Sequence, residues 1–307
     1  VAMSPEEEAQ FAYYFYAAKS AIEDNQFDRA LMLLRFCEQI NPHDGATKDY
    51  LGLIYEALGN PTQADAYYRD AYYANPQDLW KHYASALMQR ADTLVGKKHQ
   101  ATIKQATHIV EQATKDRPKD TERWEYLRKI YLHTQRYKQA MRVQDKIDAI
   151  EGYDAYSALN RYQTYVMWHK PKQAIAAIDD YLEEDPTNLH FLLFKAELLD
   201  YINAPLEQRL QAYKDILDID PRNLGILNNY AYLLATHNGD LKEAERMSRI
   251  TIQEQPENPT FLDTYAWILH LQGQDVLAEF YIRKALNNVQ NDSDKQVIQQ
   301  HYEVIHH

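Results

Sequence analysis

The sequence contains one cysteine, eight glycines and no long apolar run, and its 33 basic side chains are outnumbered by 45 acidic ones. Each shortage excludes something. Cys37 alone can form no intrachain disulfide and no cysteine-based zinc site. A chain with a large core needs no disulfide outside the cell, so the lone thiol leans toward a reducing compartment without deciding the matter. Too few glycines are present for a phosphate-cradling loop once turns are counted, and no GxSxG nucleophile turn occurs. A net charge of −12 argues against a sequence-independent nucleic-acid surface, which needs clustered positive charge. No window reaches the roughly 18 to 20 uncharged apolar residues of a membrane-spanning helix. The opening VAMSPEEE has neither the basic start nor the apolar run of a signal segment, and a leader removed beforehand would leave the same opening.

What is present is regular. With 45% hydrophobic residues in 307, the chain can bury a sizeable core. Prolines close helical segments at Pro42, Pro76, Pro118, Pro186, Pro221 and Pro256. Pro42 to Pro76 is 34 residues, Pro186 to Pro221 and Pro221 to Pro256 are 35 each, and Pro118 to Pro186 is 68, two units of 34. Pro76 to Pro118, at 42, breaks step; the extra residues fall in ADTLVGKKHQATIKQ, which predicts longer helices or a protruding loop carrying Lys97, Lys98, His99 and Lys104. Asn41, Asn75, Asp185 and Asp220 open turn clusters that end one helix and cap the next, and Ser4, Pro5 and Glu7 read as a helix start.

Inside one unit stand Leu51, Gly52, Tyr55, Gly59, Ala64, Tyr68, Ala71 and Pro76. The unit from Trp124 keeps Leu127, Tyr131, Tyr137 and Ala140, with Arg128 at the small position and Gly152 for the closing proline; a late unit carries Leu262, Tyr265, Ala266, Leu269, Gly273, Ala278, Ile282 and Ala285. This pattern resembles the tetratricopeptide repeat (TPR). The unit containing Arg209 matches least well. The resemblance implies an all-α fold, a right-handed α-solenoid of about eight helical hairpins whose concave groove is lined mainly by the first helix of each pair. The approximate repeats are 9–42, 43–76, 77–118, 119–152, 153–186, 187–221, 222–256 and 257–290, followed by a capping helix in 291–307. With no Gly/Ser linker or low-complexity tract, one continuous array is expected.

The 25 tyrosines invite a stacking role, but Tyr55, Tyr68, Tyr83, Tyr131, Tyr165, Tyr213 and Tyr265 fall on repeat positions that pack between helices. No HExxH occurs among the 12 histidines, and His301, His306 and His307 read as a solvated helix end or the remnant of an added tag; no metal site is expected. Plentiful carboxylates on helix faces are solvated surface, and no catalytic residue or cofactor is assigned. The expectation is a non-catalytic scaffold that binds a protein or extended peptide. A small-ligand module for a glycan or lipid fragment is the alternative.

By the repeat frame, the groove candidates are Phe15, Lys19, Asp49, Leu53, Lys81, Ser85, Glu125, Lys129, Leu159, Gln163, Leu192, Asn228, Tyr232, Asp263 and Trp267, with Tyr232 and Trp267 as aromatic anchors. Phe15 and Asp49 stand where the chaperone-binding branch of the family has its carboxylate clamp, so that activity is not carried over. The phrasing of SPEEEAQFAYYFYAA, NNYAYLLA and FLDTYAWILHLQGQ resembles multi-repeat TPR proteins of Bacteroidetes-type bacteria. That resemblance implies an envelope protein or lipoprotein, with a signal segment and lipidated cysteine ahead of Val1, in the periplasm or at the cell surface; a cytoplasmic location is the alternative. Partner identity and oligomeric state are not encoded in any motif.

Overall fold

The computed structural model describes residues 2–307, and among them every regular element is an α-helix. The chain divides into two compact units, one reaching Tyr153 and one starting at Asp154. The first is four hairpins: α1 (Pro5–Glu23) with α2 (Phe27–Ile40), α3 (Gly45–Ala57) with α4 (Pro61–Ala74), α5 (Lys81–Asp92) with α6 (Gly96–Asp116), and α7 (Thr121–His133) with α8 (Tyr137–Glu151). The second is four more, α9 (Ala155–Met167) with α10 (Pro171–Glu184), α11 (Leu189–Tyr201) with α12 (Leu206–Ile219), α13 (Leu224–Thr236) with α14 (Leu241–Glu254) and α15 (Pro259–Leu271) with α16 (Asp275–Asn288), then a single α17 (Asp292–His306). Within each unit every hairpin packs on the next, and α17 packs on both α15 and α16. None of these helices is long and apolar enough to cross a membrane.

Local chemistry sets the boundaries. Ser4 and Glu7 form the reciprocal capping box that their spacing predicts, Ser4 Oγ accepting from the Glu7 amide at 3.2 Å and Glu7 Oε2 from the Ser4 amide at 2.8 Å. Asp44, Asn188 and Asn223 cap α3, α11 and α13. The cluster at Asn75 behaves differently: it ends α4, but α5 starts late, behind a buried Trp80 with no side-chain cap, because Asp78 is held by Asn75 and Arg117 instead.

The tight turns inside the hairpins share one backbone device. Asn25, Gly59, Gln135, His169, Asn203, Asn238 and Gly273 adopt φ between 49° and 79°, the left-handed conformation that ends one helix and aims the chain into the next. Glycine and asparagine tolerate it; Gln135 and His169 carry a β-carbon there at a steric cost. At Gly52 the requirement is packing: a Cβ built there would stand 2.5 Å from the Tyr68 ring, so only glycine lets α4 lie so close to α3. Arg128 solves the same position in α7 differently. It is 5% exposed, and its Nε and Nη2 both donate to Glu125 Oε2, at 3.1 and 3.0 Å.

The extra residues between Pro76 and Pro118 lengthen α6 to 21 residues, against 14 in α4, rather than forming a loop. Of the tyrosines read as core, Tyr68, Tyr83, Tyr131, Tyr213 and Tyr265 are buried and Tyr55 and Tyr165 half-buried. Cys37 is fully buried in α2, where burial and then the Asp44 charge push its thiol up to about 11.

Candidate functional site

The first helix of each hairpin carries the groove candidates. In the first unit the Phe15 ring meets Tyr50 of α3 edge-on at 5.5 Å, and the Lys19 ammonium lies 6.0 Å from the Phe15 centroid. Leu53 is half-buried against the core cluster that runs from α4 to α8. Asp49, 8% exposed, accepts from His82 Nδ1 at 2.8 Å through Oδ2, while its Oδ1 is buried without a partner. That hydrogen bond raises the His82 pKa above its usual 6.5 although burial pulls it down. The His82 ring stacks on Tyr68 at 5.2 Å, and Tyr68 donates its hydroxyl to Glu56 at 2.6 Å. Lys81, at the start of α5, pairs with Glu122 of α7. Ser85 and Lys129 line one shallow depression of about 260 Å³ together with Met88 and Tyr126.

In the second unit Gln163 is exposed, Leu159 half-buried, and Leu192 closed within the core at 5% exposure. Asn228 is 5% exposed and its Oδ1 has no partner. Tyr232 is 37% exposed, and its phenol pKa is raised by burial and then by the Asp263 charge. Three candidates converge on one residue that sequence reasoning set aside, His301 of α17. Its Nδ1 donates to Asp263 Oδ1 at 2.8 Å, its ring stacks on Trp267 at 4.5 Å, and Tyr232 lies 6.2 Å away. The signal was present: Ile298 and Ile305, both buried, are seven residues apart, and His301 falls three and four residues from them on the same helical face.

Four of these groups form a pattern. Asp49, Glu125, Asn228 and Asp263 are each the fifth residue of their helix, polar and largely withdrawn from water. Glu125 is matched by Arg128 and Asp263 by His301, whereas Asp49 and Asn228 each retain an unmatched oxygen. Such a surface supplies hydrogen-bond acceptors, aromatic rings and flexible ammonium groups. Among the described residues no three His, Cys, Asp or Glu side chains cluster so as to hold a metal ion. The second unit also has a mainly apolar cavity of about 560 Å³ edged by Tyr162, Val166, Leu198 and Tyr201, outside the groove positions.

No family model matches the sequence, and no curated protein sequence does. Solved structures do. The C-terminal part of a TPR repeat-containing protein from Cytophaga hutchinsonii superposes with a TM-score of 0.58 at 14% identity, over 81% of this chain and 98% of that one. The fold is that of the tetratricopeptide repeats. A tetratricopeptide repeat protein from Parabacteroides merdae aligns over 97% of this chain and 100% of its own at 13% identity, with a TM-score of 0.49.

Proposed function

We propose that the chain is a non-catalytic scaffold whose tetratricopeptide hairpins hold an extended segment of another protein along the first-helix face. The observation that carries this reading is the pair of buried, unmatched oxygens, Asp49 Oδ1 and Asn228 Oδ1, at equivalent positions of α3 and α13. A buried acceptor left unpaired costs about 1–3 kcal/mol; both oxygens are closed to solvent, so a bound segment recovers that cost by a side-chain rotation that brings the oxygen to one of its peptide N–H groups. The same first-helix positions carry aromatic, hydroxyl and cationic side chains suited to fix such a segment: Tyr232 in the second unit, and Lys19, Ser85 and Lys129 in the first. Trp267 takes a supporting part, because its ring is already stacked on His301. A preformed rigid face loses little entropy on binding. We extend the resemblance to location as well, as an envelope or lipoprotein assembly factor.

The test is affinity capture from lysate of the source organism, comparing the native chain with Asn228→Ala/Tyr232→Ala and with Lys129→Glu, all verified as equally helical. Partners held by the native chain and lost by these variants support the groove. Identical capture by all three would move the binding surface elsewhere. Small-ligand binding is the second reading, favoured by the cavity at Tyr162 and Tyr201; binding of an apolar glycoside, abolished by Tyr162→Ala and unaffected by Tyr232→Ala, would establish it.

A further inference from the structure

The residues that lengthen α6 create a cavity that the proposed groove does not use. The amino-terminal half of α6 runs beside the turn joining α7 to α8, and a volume of about 670 Å³ opens between them, within the range of small-molecule sites. Its wall is basic in a chain whose net charge is −12. Lys104, His99 and His108 come from α6, His133 from the end of α7, and Arg136 from the turn. One carboxylate, Glu111, shares the lining, and its Oε1 already accepts the Tyr131 hydroxyl at 2.7 Å.

The two permanent cations have no carboxylate partner. Neither Lys104 nor Arg136 forms an ion pair among the described residues. The Arg136 guanidinium instead lies over the Tyr131 ring, 4.8 Å from its centroid, a contact that holds it without neutralising it. His99 is fixed by donating Nδ1–H to the Ala91 carbonyl at 2.7 Å, and His133 Nε2 lies 3.2 Å from Asp92, which is outside the cavity lining. Cations without carboxylate partners around a concave volume are the arrangement that recognises clustered negative charge.

We propose that this cavity binds a small polyanion, a molecule bearing adjacent phosphate or carboxylate groups, with Lys104 and Arg136 as its main contacts. The site is independent of the groove reading, since none of the groove candidates lines it.

Calorimetric titration of the full chain with inorganic pyrophosphate and with citrate tests this, with glucose as the neutral control. Saturable one-to-one binding of at least one anion is expected, and whichever binds tighter identifies phosphate or carboxylate as the preferred group. Lys104→Gln/Arg136→Gln should weaken it at least about tenfold, the loss of two charge-assisted contacts. Lys97→Gln/Lys98→Gln removes the same charge from the same helix outside the cavity and should leave affinity within about twofold at moderate salt. Glu111→Gln should bind several-fold tighter, and this variant decides the matter if the double substitution disturbs folding. No saturable binding of either anion, equal losses in the two lysine-containing double variants, or unchanged binding by Glu111→Gln where the double variant is misfolded would each overturn the proposal.

Discussion

The two units contain the same small device in different settings. In the first, Asp49 of α3 accepts from His82 of α5, whose ring lies on Tyr68; in the second, Asp263 of α15 accepts from His301 of α17, whose ring lies on Trp267. Both aspartates are fifth in their helices, and both bonds measure 2.8 Å. The difference is water. The His82 side chain is 41% exposed and Asp49 keeps one unmatched oxygen, while the His301 side chain is 14% exposed and Asp263 leaves no buried oxygen unmatched. Both aspartates are equally withdrawn, at 8% and 7% exposure, and each is a staple that fastens its helix to one that follows; what differs is the histidine, open to water in the first unit and covered in the second.

The largest expected effect comes from removing the cover. A chain ending after Val289 loses Ile298 and Ile305, 2% and 5% exposed, and leaves Trp267, Asp263 and the apolar side of α16 in water. Thermal unfolding should begin about 10 °C lower or more, from two buried isoleucines worth roughly 2–5 kcal/mol each. An unchanged melting temperature would mean that α17 is a passenger and the second staple is no staple.

Substituting the acceptors comes next. Asp263→Ala should cost about 1–3 kcal/mol, because it strands a buried imidazole N–H, and Asp49→Ala less than about 1 kcal/mol, because water reaches His82. Chemical denaturation of both variants reads the ratio. Equal costs would show that exposure does not separate the two pairs.

A third effect depends on pH. The folded-state pKa of His82 is raised, first by its bond to Asp49. The stability contributed by that pair is thus complete below the unfolded histidine value near 6.5 and fades as pH rises through the higher folded value. Glu56 adds to the raised pKa and Lys81 opposes it. Between about pH 6 and 8 the native chain should lose more stability than His82→Gln does; parallel curves would count against a charged pair.

The smallest effect tests what the hydroxyl of the stacked ring contributes. Tyr68→Phe keeps the ring on His82 and removes the bond to Glu56, so it should cost about 0.5–1.5 kcal/mol and leave the His82 titration, followed by proton NMR, close to native. A large shift in that titration would show that the hydroxyl and Glu56, not Asp49, set the histidine's charge.

Much of the fold was legible in the residues because its causes are local. Proline spacing, capping pairs such as Ser4 with Glu7, and apolar periodicity are properties of ten or fifteen neighbouring residues, and they mark out eight hairpins and a final helix. Gly52 was legible as a small residue, though the ring that demands it, Tyr68, is identified only by packing. The misses have two kinds of cause. Some were local signals left unread: Glu125 stands three residues before Arg128 on one helix, and Gln135 and His169 occupy the turn position that elsewhere holds glycine or asparagine. Others are long-range. The cluster opened by Asn75 was read as capping the next helix, and its Asp78 was taken by an arginine 39 residues away.

By itself the sequence determined the helices, their pairing into hairpins and the repeat they resemble, because hydrophobic period and turn chemistry act over short distances. The tertiary structure alone decided which polar groups would be used up and which left open. It turned His301 from a tail residue into a staple, left Asp49 and Asn228 each with an unmatched oxygen, and gathered Lys104 and Arg136 around one cavity. Burial and pairing belong to groups brought together from distant parts of the chain, and no local pattern encodes where those groups meet.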